Sequence, residues 1–143
     1  MLPNVPHPYK EADVEWFLNY CNEQKNKFGH TMQWIIRNNN NELMGYISFH
    51  GKHEKNSHKE SIGYWLGKSF WGKGIMTKVV KRFCQFGFEE IGLVRIEATM
   101  LHFNYASAKV LEKCGFQLEA ATLKNYYRKD GKVFDGKLYV LIK

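Results

Sequence analysis

The sequence predicts an α+β fold in three layers: a mixed, mostly antiparallel sheet with helices on both faces. Three observations predict it. Two apolar runs, residues 31–37 and 43–50, flank the loop Asn38-Asn39-Asn40-Asn41, which is the pattern of a hairpin. Residues 75–90 and 104–113 carry helical signals and are each followed by a glycine. Both of these segments stand between strand-like runs, so helices and strands alternate in the second half of the chain.

Each element has its own reason. Residues 9 to about 27 read as a helix, because Val14, Phe17, Leu18 and Cys21 fall at i, i+3, i+4 and i+7. Strands 31–37 and 43–50 pair antiparallel across the Asn loop, since asparagine tolerates left-handed backbone angles. Residues 51–59 are polar and charged and read as a loop, and 60–66 is a third strand. Gly63 inside that strand marks a bulge or a close approach by another chain. In 75–90 one stripe is made by Ile75, Val79, Phe83 and Phe86, widened by Met76 and Val80, with Gly92 beyond its end. A strand follows at 94–101. Asn104 caps a short helix running to Lys113, and Gly115 stops it. The last strands are 116–123 and 137–143, joined by a connection that carries the turn signal Asp130-Gly131. The strand–helix–strand passages read as parallel crossovers or splits.

Composition sets the bounds. A chain of 143 residues is expected to form one domain, residues 1–143. It buries roughly two-thirds of its unfolded surface and needs no disulfide or metal to fold. The three cysteines, Cys21, Cys84 and Cys114, form no C-x-x-C, so neither a zinc site nor a secreted disulfide framework is expected, and a reducing cytoplasm is. The first six residues carry no signal-peptide pattern, and no apolar run is long enough to span a bilayer. The formal charge of +7 attracts polyanions, a nucleic acid or a phosphate-rich cofactor, and equally serves plain solubility. No helix-turn-helix, zinc-finger or RNP pattern is present and the lysines are scattered, so no nucleic-acid partner is expected.

The segment that carries chemistry is Trp71-Gly72-Lys73-Gly74-Ile75-Met76-Thr77, between a strand and a helix. Its glycines let the backbone turn sharply and bring amide groups close to a ligand. The helix behind them starts near Ile75, and its first N–H groups lack internal partners while its dipole adds partial positive charge. Such a start binds phosphate or pyrophosphate, and Lys73 adds a full charge. The segment matches neither a Walker A loop nor a Rossmann fingerprint. Taken alone, it reads slightly better as a tight turn that binds nothing.

That balance changes when the neighbours are included. Ile62-Gly63-Tyr64-Trp65-Leu66, Trp71-Gly72-Lys73-Gly74-Ile75-Met76-Thr77, Asn104-Tyr105-Ala106-Ser107 and Val110-Leu111-Glu112-Lys113-Cys114-Gly115-Phe116 occur in one order. The set resembles the GNAT acetyltransferase superfamily, and within it the RimJ/RimL-like ribosomal-protein N-terminal acetyltransferases. It covers the chain from about Leu43 onward. The resemblance implies a sheet splayed between the fourth and fifth family strands, with acetyl-CoA as co-substrate and no metal. It implies that Trp71, Gly72, Lys73, Gly74, Ile75 and Met76 hold the CoA pyrophosphate, with a hydroxyl added by Thr77. It also implies that the main chain at Tyr64, Trp65 and Leu66 pairs with the pantetheine amides, as an added strand does. By the same resemblance Asn104 bonds the pantetheine arm and Ser107 sits by the thioester sulfur.

The pattern also departs from the family. Trp71 replaces a usual Gln or Arg, Met76 replaces a small residue, and Leu111 stands where many members carry a tyrosine acid. The opening strand and first helix, which would precede Pro3-Asn4-Val5-Pro6, are expected to be shortened or absent. Against that frame, a backbone N–H near Tyr64, at a bulge, is the expected oxyanion donor, and Ser107 serves the thiolate. Glu60 is an even choice between general base and solvated edge residue. Asp135 is expected to make a structural hydrogen bond, and Tyr126 and Tyr127 to be packing in the connection beside the acceptor pocket. Cys114 reads as an inert thiol. His50, His53 and His58 read as surface residues.

The expected activity is direct acetyl transfer to a primary amine, a protein N-terminus or a small amine. The alternative is a non-catalytic module of the same fold that binds CoA or a partner. The expected state is a monomer or homodimer, with no membrane partner.

Overall fold

A computed structural model of the chain describes residues 18, 19, 21–23, 25–27, 29–50 and 57–143. Residues 18, 19, 21–23 and 25–27 are helical. The rest of the expected first helix, most of the loop 51–59 and His53 lie outside the described residues. The elements that follow are β1 (Gln33–Arg37), β2 (Leu43–His50), β3 (Lys59–Leu66), a 3₁₀ turn (Lys68–Phe70), α1 (Ile75–Phe86), a π turn (Gly87–Ile91), β4 (Arg95–Leu101), α2 (Tyr105–Lys113), β5 (Gln117–Lys129) and β6 (Lys132–Ile142). The six strands form one sheet in the order β1-β2-β3-β4-β6-β5.

Local chemistry sets the connections. In the Asn loop, the Asn38 side-chain oxygen accepts the N–H groups of Asn40 at 3.0 Å and Glu42 at 2.9 Å, and Asn41 takes φ 64°. At the other hairpin Asp130 and Gly131 both have positive φ, 50° and 75°, which matches the twist of the flanking strands. Here the structure corrects the sequence reading. The connection expected after Leu123 is only this two-residue turn, because β5 runs on to Lys129 and β6 begins at Lys132.

Helices α1 and α2 share one face of the sheet. Phe49 of β2 stacks on Phe83 of α1 with centroids 4.2 Å apart, and Trp34 of β1 meets Phe83 edge-on at 4.8 Å. Ile47, Phe49, Val80, Phe83, Leu93, Ile96 and Leu111 are wholly buried. Burial on that scale contributes about 1.5–3 kcal/mol per large apolar side chain. The thiol of Cys114 at the end of α2 points at the Thr77 carbonyl of α1 at 3.4 Å.

The sheet opens where function was expected. β3 and β4 run parallel but pair only at Lys59↔Arg95, Glu60↔Ile96 and Ser61↔Glu97. β3 continues to Leu66 held by β2, and β4 continues to Leu101 held by β6. Each strand is satisfied on its far edge, so the two halves of the sheet can twist apart beyond Ser61. The β2–β3 register is unbroken from Gly45↔Leu66 to His50↔Ser61, so Gly63 marks no bulge. It marks a close approach instead: a Cβ there would overlap the His50 imidazole.

Candidate active site

The phase of the β2–β3 ladder decides which main-chain groups face the opening. Gly67 N–H donates to the Met44 carbonyl at 2.7 Å, one step beyond the Gly45↔Leu66 pair. Hydrogen-bonding direction alternates along a strand. Ser61, Gly63, Trp65 and Gly67 therefore turn their main chain to β2, while Tyr64 and Leu66 turn theirs into the gap beside β4. This corrects the expectation for Trp65, whose peptide groups are committed to Tyr46 across the ladder. The gap offers Tyr64 and Leu66 only.

The 3₁₀ turn and Trp71 carry the chain from β3 to α1. Trp71 is 61% exposed, yet its indole N–H donates to the Leu66 carbonyl at 2.7 Å and ties the loop to the end of β3. Gly72 and Gly74 both take φ 72°, with nothing near the position of a Cβ. Backbone angle rather than space demands glycine there. Gly74 is the N-cap of α1, and no side chain caps that end, nor does an acidic residue stand in the first turn. The first helical bond is Lys78 N–H to the Gly74 carbonyl, so the amides of Ile75, Met76 and Thr77 are left for an anion. Trp71, Gly72, Lys73 and Gly74 are all exposed at this mouth.

Across the gap, Asn104 caps α2 by accepting Ser107 N–H at 3.2 Å, as its place in the sequence predicted. Ser107 Oγ lies 2.7 Å from the Tyr64 hydroxyl, and the Ser107 carbonyl lies 3.5 Å from it. Burial pushes the Tyr64 phenol up to about 12, against a smaller lowering by the Ser107 hydrogen bond. Leu111, about one turn further along α2, is wholly buried in the core and brings no hydroxyl to the gap.

Glu60 is not brought together with these groups. It is 6% exposed, pairs with Ile96 in the closed part of the sheet, and lies four residues from Tyr64, about 13 Å along the strand. Asp135 accepts Asn125 N–H at 3.0 Å and Lys124 Nζ at 2.9 Å, the structural hydrogen bond expected of it. Asn125 sits at φ 51° within a register shift of β5. Beside it Tyr126 and Tyr127 meet edge-on with centroids 5.0 Å apart, on a strand rather than in a loop. The Tyr127 hydroxyl reaches over β6 to donate to Thr99 Oγ1 at 2.9 Å, on the part of β4 that β6 holds and β3 has left.

Comparison with known proteins places this arrangement. Residues 1–117 match the family model described as an acetyltransferase (GNAT) domain. The chain belongs to the GNAT acetyltransferase family. This GNAT domain is 34% identical over 113 residues to the uncharacterized N-acetyltransferase YoaA of Bacillus subtilis, covering 78% of this chain and 63% of that protein. It is 36% identical over 101 residues to the putative ribosomal N-acetyltransferase YdaF of the same organism, covering 71% of this chain and 54% of that one. The chain thus spans less than two-thirds of the length of these relatives. A crystal structure of ribosomal-protein-S5-alanine acetyltransferase from Vibrio fischeri superposes with a TM-score of 0.86 at 26% identity, covering 99% of this chain and 77% of that chain. Two of these three names carry the ribosomal-protein branch that the motifs resemble.

Within the GNAT domain the thiols are quiet. Burial pushes Cys84 up to about 12 and raises Cys114, so neither is a thiolate nucleophile near neutral pH. Among the described residues no His, Cys, Asp and Glu cluster could hold a metal ion, and no helix is long and apolar enough to cross a membrane. Sequence reasoning missed the Tyr64 side chain. It assigned that residue a backbone role, and the one available signal was a tyrosine at the same alternating strand position as the buried Ile62.

Proposed function

We propose that this chain is an acetyl-CoA-dependent N-acetyltransferase, acting in the reducing cytoplasm on a primary amine, either a protein N-terminus or a small amine. The observation that carries the reading is the gap between β3 and β4. It opens beyond Ser61↔Glu97 and leads directly to the uncapped start of α1. A pyrophosphate fits the amides from Gly72 to Thr77 with Lys73 beside them, and an amide-bearing arm fits the Tyr64 and Leu66 main chain as a strand would.

In this reading the acceptor nitrogen attacks the thioester carbonyl carbon, and the C–S bond then breaks with its electron pair leaving on sulfur. The Tyr64 N–H stabilises the developing oxyanion and the Ser107 hydroxyl hydrogen-bonds the departing thiolate. Positioning two reactants in one cleft supplies roughly 7–11 kcal/mol of barrier lowering. The amine must be neutral to attack. With Glu60 at the closed end and Asp135 engaged by Lys124 and Asn125, water is the acceptor of its proton. The ribosomal acetyltransferases among the relatives favour a protein N-terminus as acceptor.

Calorimetry with acetyl-CoA, followed by thiol release against a panel of peptide N-termini and small amines, tests the reading. Saturable binding and amine-dependent release support it, and no binding at high micromolar acetyl-CoA removes it. A non-catalytic module, favoured by the apolar Leu111, gives binding with no release for any amine.

A further inference from the structure

The hydroxyl pair at the gap has a direction. The Tyr64 phenol has two oxygen atoms within reach, Ser107 Oγ at 2.7 Å and the Ser107 carbonyl at 3.5 Å. The shorter is the usual O–H···O distance and the longer is marginal. If Ser107 donated to Tyr64, the phenol hydrogen would be left with the marginal carbonyl alone, and a poorly satisfied donor at a half-buried site is costly. The favoured arrangement has Tyr64 donating and Ser107 Oγ accepting. That leaves the hydrogen of Ser107 free to point elsewhere. The Asn104 carboxamide already holds the Ser107 N–H, so backbone and side chain of Ser107 are both fixed.

We propose that Tyr64 is a positioning residue, whose half-buried phenol donates to Ser107 Oγ and so turns the one hydroxyl hydrogen of Ser107 into the β3–β4 gap, toward the sulfur of a bound coenzyme. The proposal rests on the reading of the gap as a CoA site. Tyr64 itself transfers no proton. Burial raises its phenol to about 12, so it remains a donor throughout the neutral and mildly alkaline range. The thiolate accepts the Ser107 hydrogen bond, and the proton that later makes the free thiol comes from water. Without the phenol, nothing holds the Ser107 hydroxyl in that direction, and it rotates toward the carbonyl of the cap Asn104 at i−3, a common habit of serine near helix starts.

Free CoA is the probe, because its thiol reports the hydrogen bond with no acceptor present. A hydrogen bond donated to the thiolate favours the charged form, so bound CoA titrates at lower pH than CoA in water. Ultraviolet thiolate absorbance follows that titration in the wild type, Tyr64→Phe, Ser107→Ala and the double variant, with CoA affinity measured in each. The wild type is expected to depress the thiol. Tyr64→Phe is expected to restore it by about one pH unit, a ten-fold change in acidity, and by linkage to weaken binding of the thiolate form of CoA by the same factor. Ser107→Ala restores it equally, and the double variant adds nothing more. An unshifted thiol in the wild type, an unaltered titration in Tyr64→Phe, or additive effects in the double variant overturns the proposal while leaving CoA binding standing. Failure of the wild type to bind CoA overturns both this and the reading on which it rests. Thermal melts identify a misfolded variant, and Tyr64→Met, which keeps the bulk without the hydroxyl, must then reproduce the shift or the proposal fails.

Discussion

The indole N–H of Trp71 donates to the Leu66 carbonyl at 2.7 Å, across the turn that joins β3 to the glycine loop. One side chain thereby couples the anion-binding mouth to the strand that borders the gap. The Leu66 carbonyl faces the gap by the phase of the ladder, so the bond also fixes how far the mouth lies from the opening.

Trp71→Phe keeps an aromatic ring and removes the donor. The loop then orders only on binding, and CoA affinity is expected to fall about three- to ten-fold, the worth of one hydrogen bond. Calorimetry on the pure variant measures it. Unchanged affinity would show that the loop is held by its glycines alone.

Gly74 takes φ 72° as the N-cap of α1, with open space where a Cβ would stand. Gly74→Ala therefore meets a backbone penalty without a clash, and is expected to cost about 1 kcal/mol of stability and to weaken CoA binding. A chemical denaturation curve together with a binding isotherm checks both halves. Stability at the wild-type level would mean the loop rearranges freely.

Asp135 is held below the ordinary carboxylate range by Asn125 N–H and then by the Lys124 ammonium. A depressed folded-state value contributes stability above the unfolded value, about 3.9, and loses it as pH falls through the folded value. Asp135→Asn is expected to lower the melting temperature at pH 7, with the difference from wild type shrinking as pH falls through the depressed folded-state value. Melts between pH 2 and 7 decide this, and a difference that stays constant across that range contradicts it. The same variant loosens the bulge at Asn125 that sets Tyr126 and Tyr127 beside each other.

How much of this was legible follows from particular residues. The stripe Ile75, Val79, Phe83 and Phe86 lies on a helix that packs onto the sheet, because an apolar face must be buried somewhere. The Asn loop and the Asp130-Gly131 turn were readable from left-handed tolerance alone. The lengths of β5 and β6 were not. Residues from Lys124 to Lys129 are mostly exposed on an edge strand, and without one buried face there is no alternation to read. Glu60 looked like a residue lining the gap, since a sequence does not say where pairing between two parallel strands stops. The same ignorance hid the choice among Tyr64, Trp65 and Leu66, which depends on ladder phase. Tyr64 meets Ser107 across 43 positions of sequence, a relation no local pattern carries.

Cys114 tests direct transfer. Its thiol is raised by burial and points at the Thr77 carbonyl. Cys114→Ser is expected to keep its turnover within about two-fold, and initial-velocity lines for acetyl-CoA against amine are expected to intersect. Parallel lines, or a dead Cys114→Ser variant that still folds, would point to an acyl-enzyme instead.

The account depends on CoA entering a gap whose walls are named. Titrating isotope-labelled protein with CoA and following backbone amides one by one tests that most directly. Saturable shifts are expected at Tyr64, Leu66 and Gly72 to Thr77, with Ser61 and Trp65, bonded to β2, far less moved. Amides of Tyr64 and Leu66 that stay still while CoA saturates another surface would contradict the account.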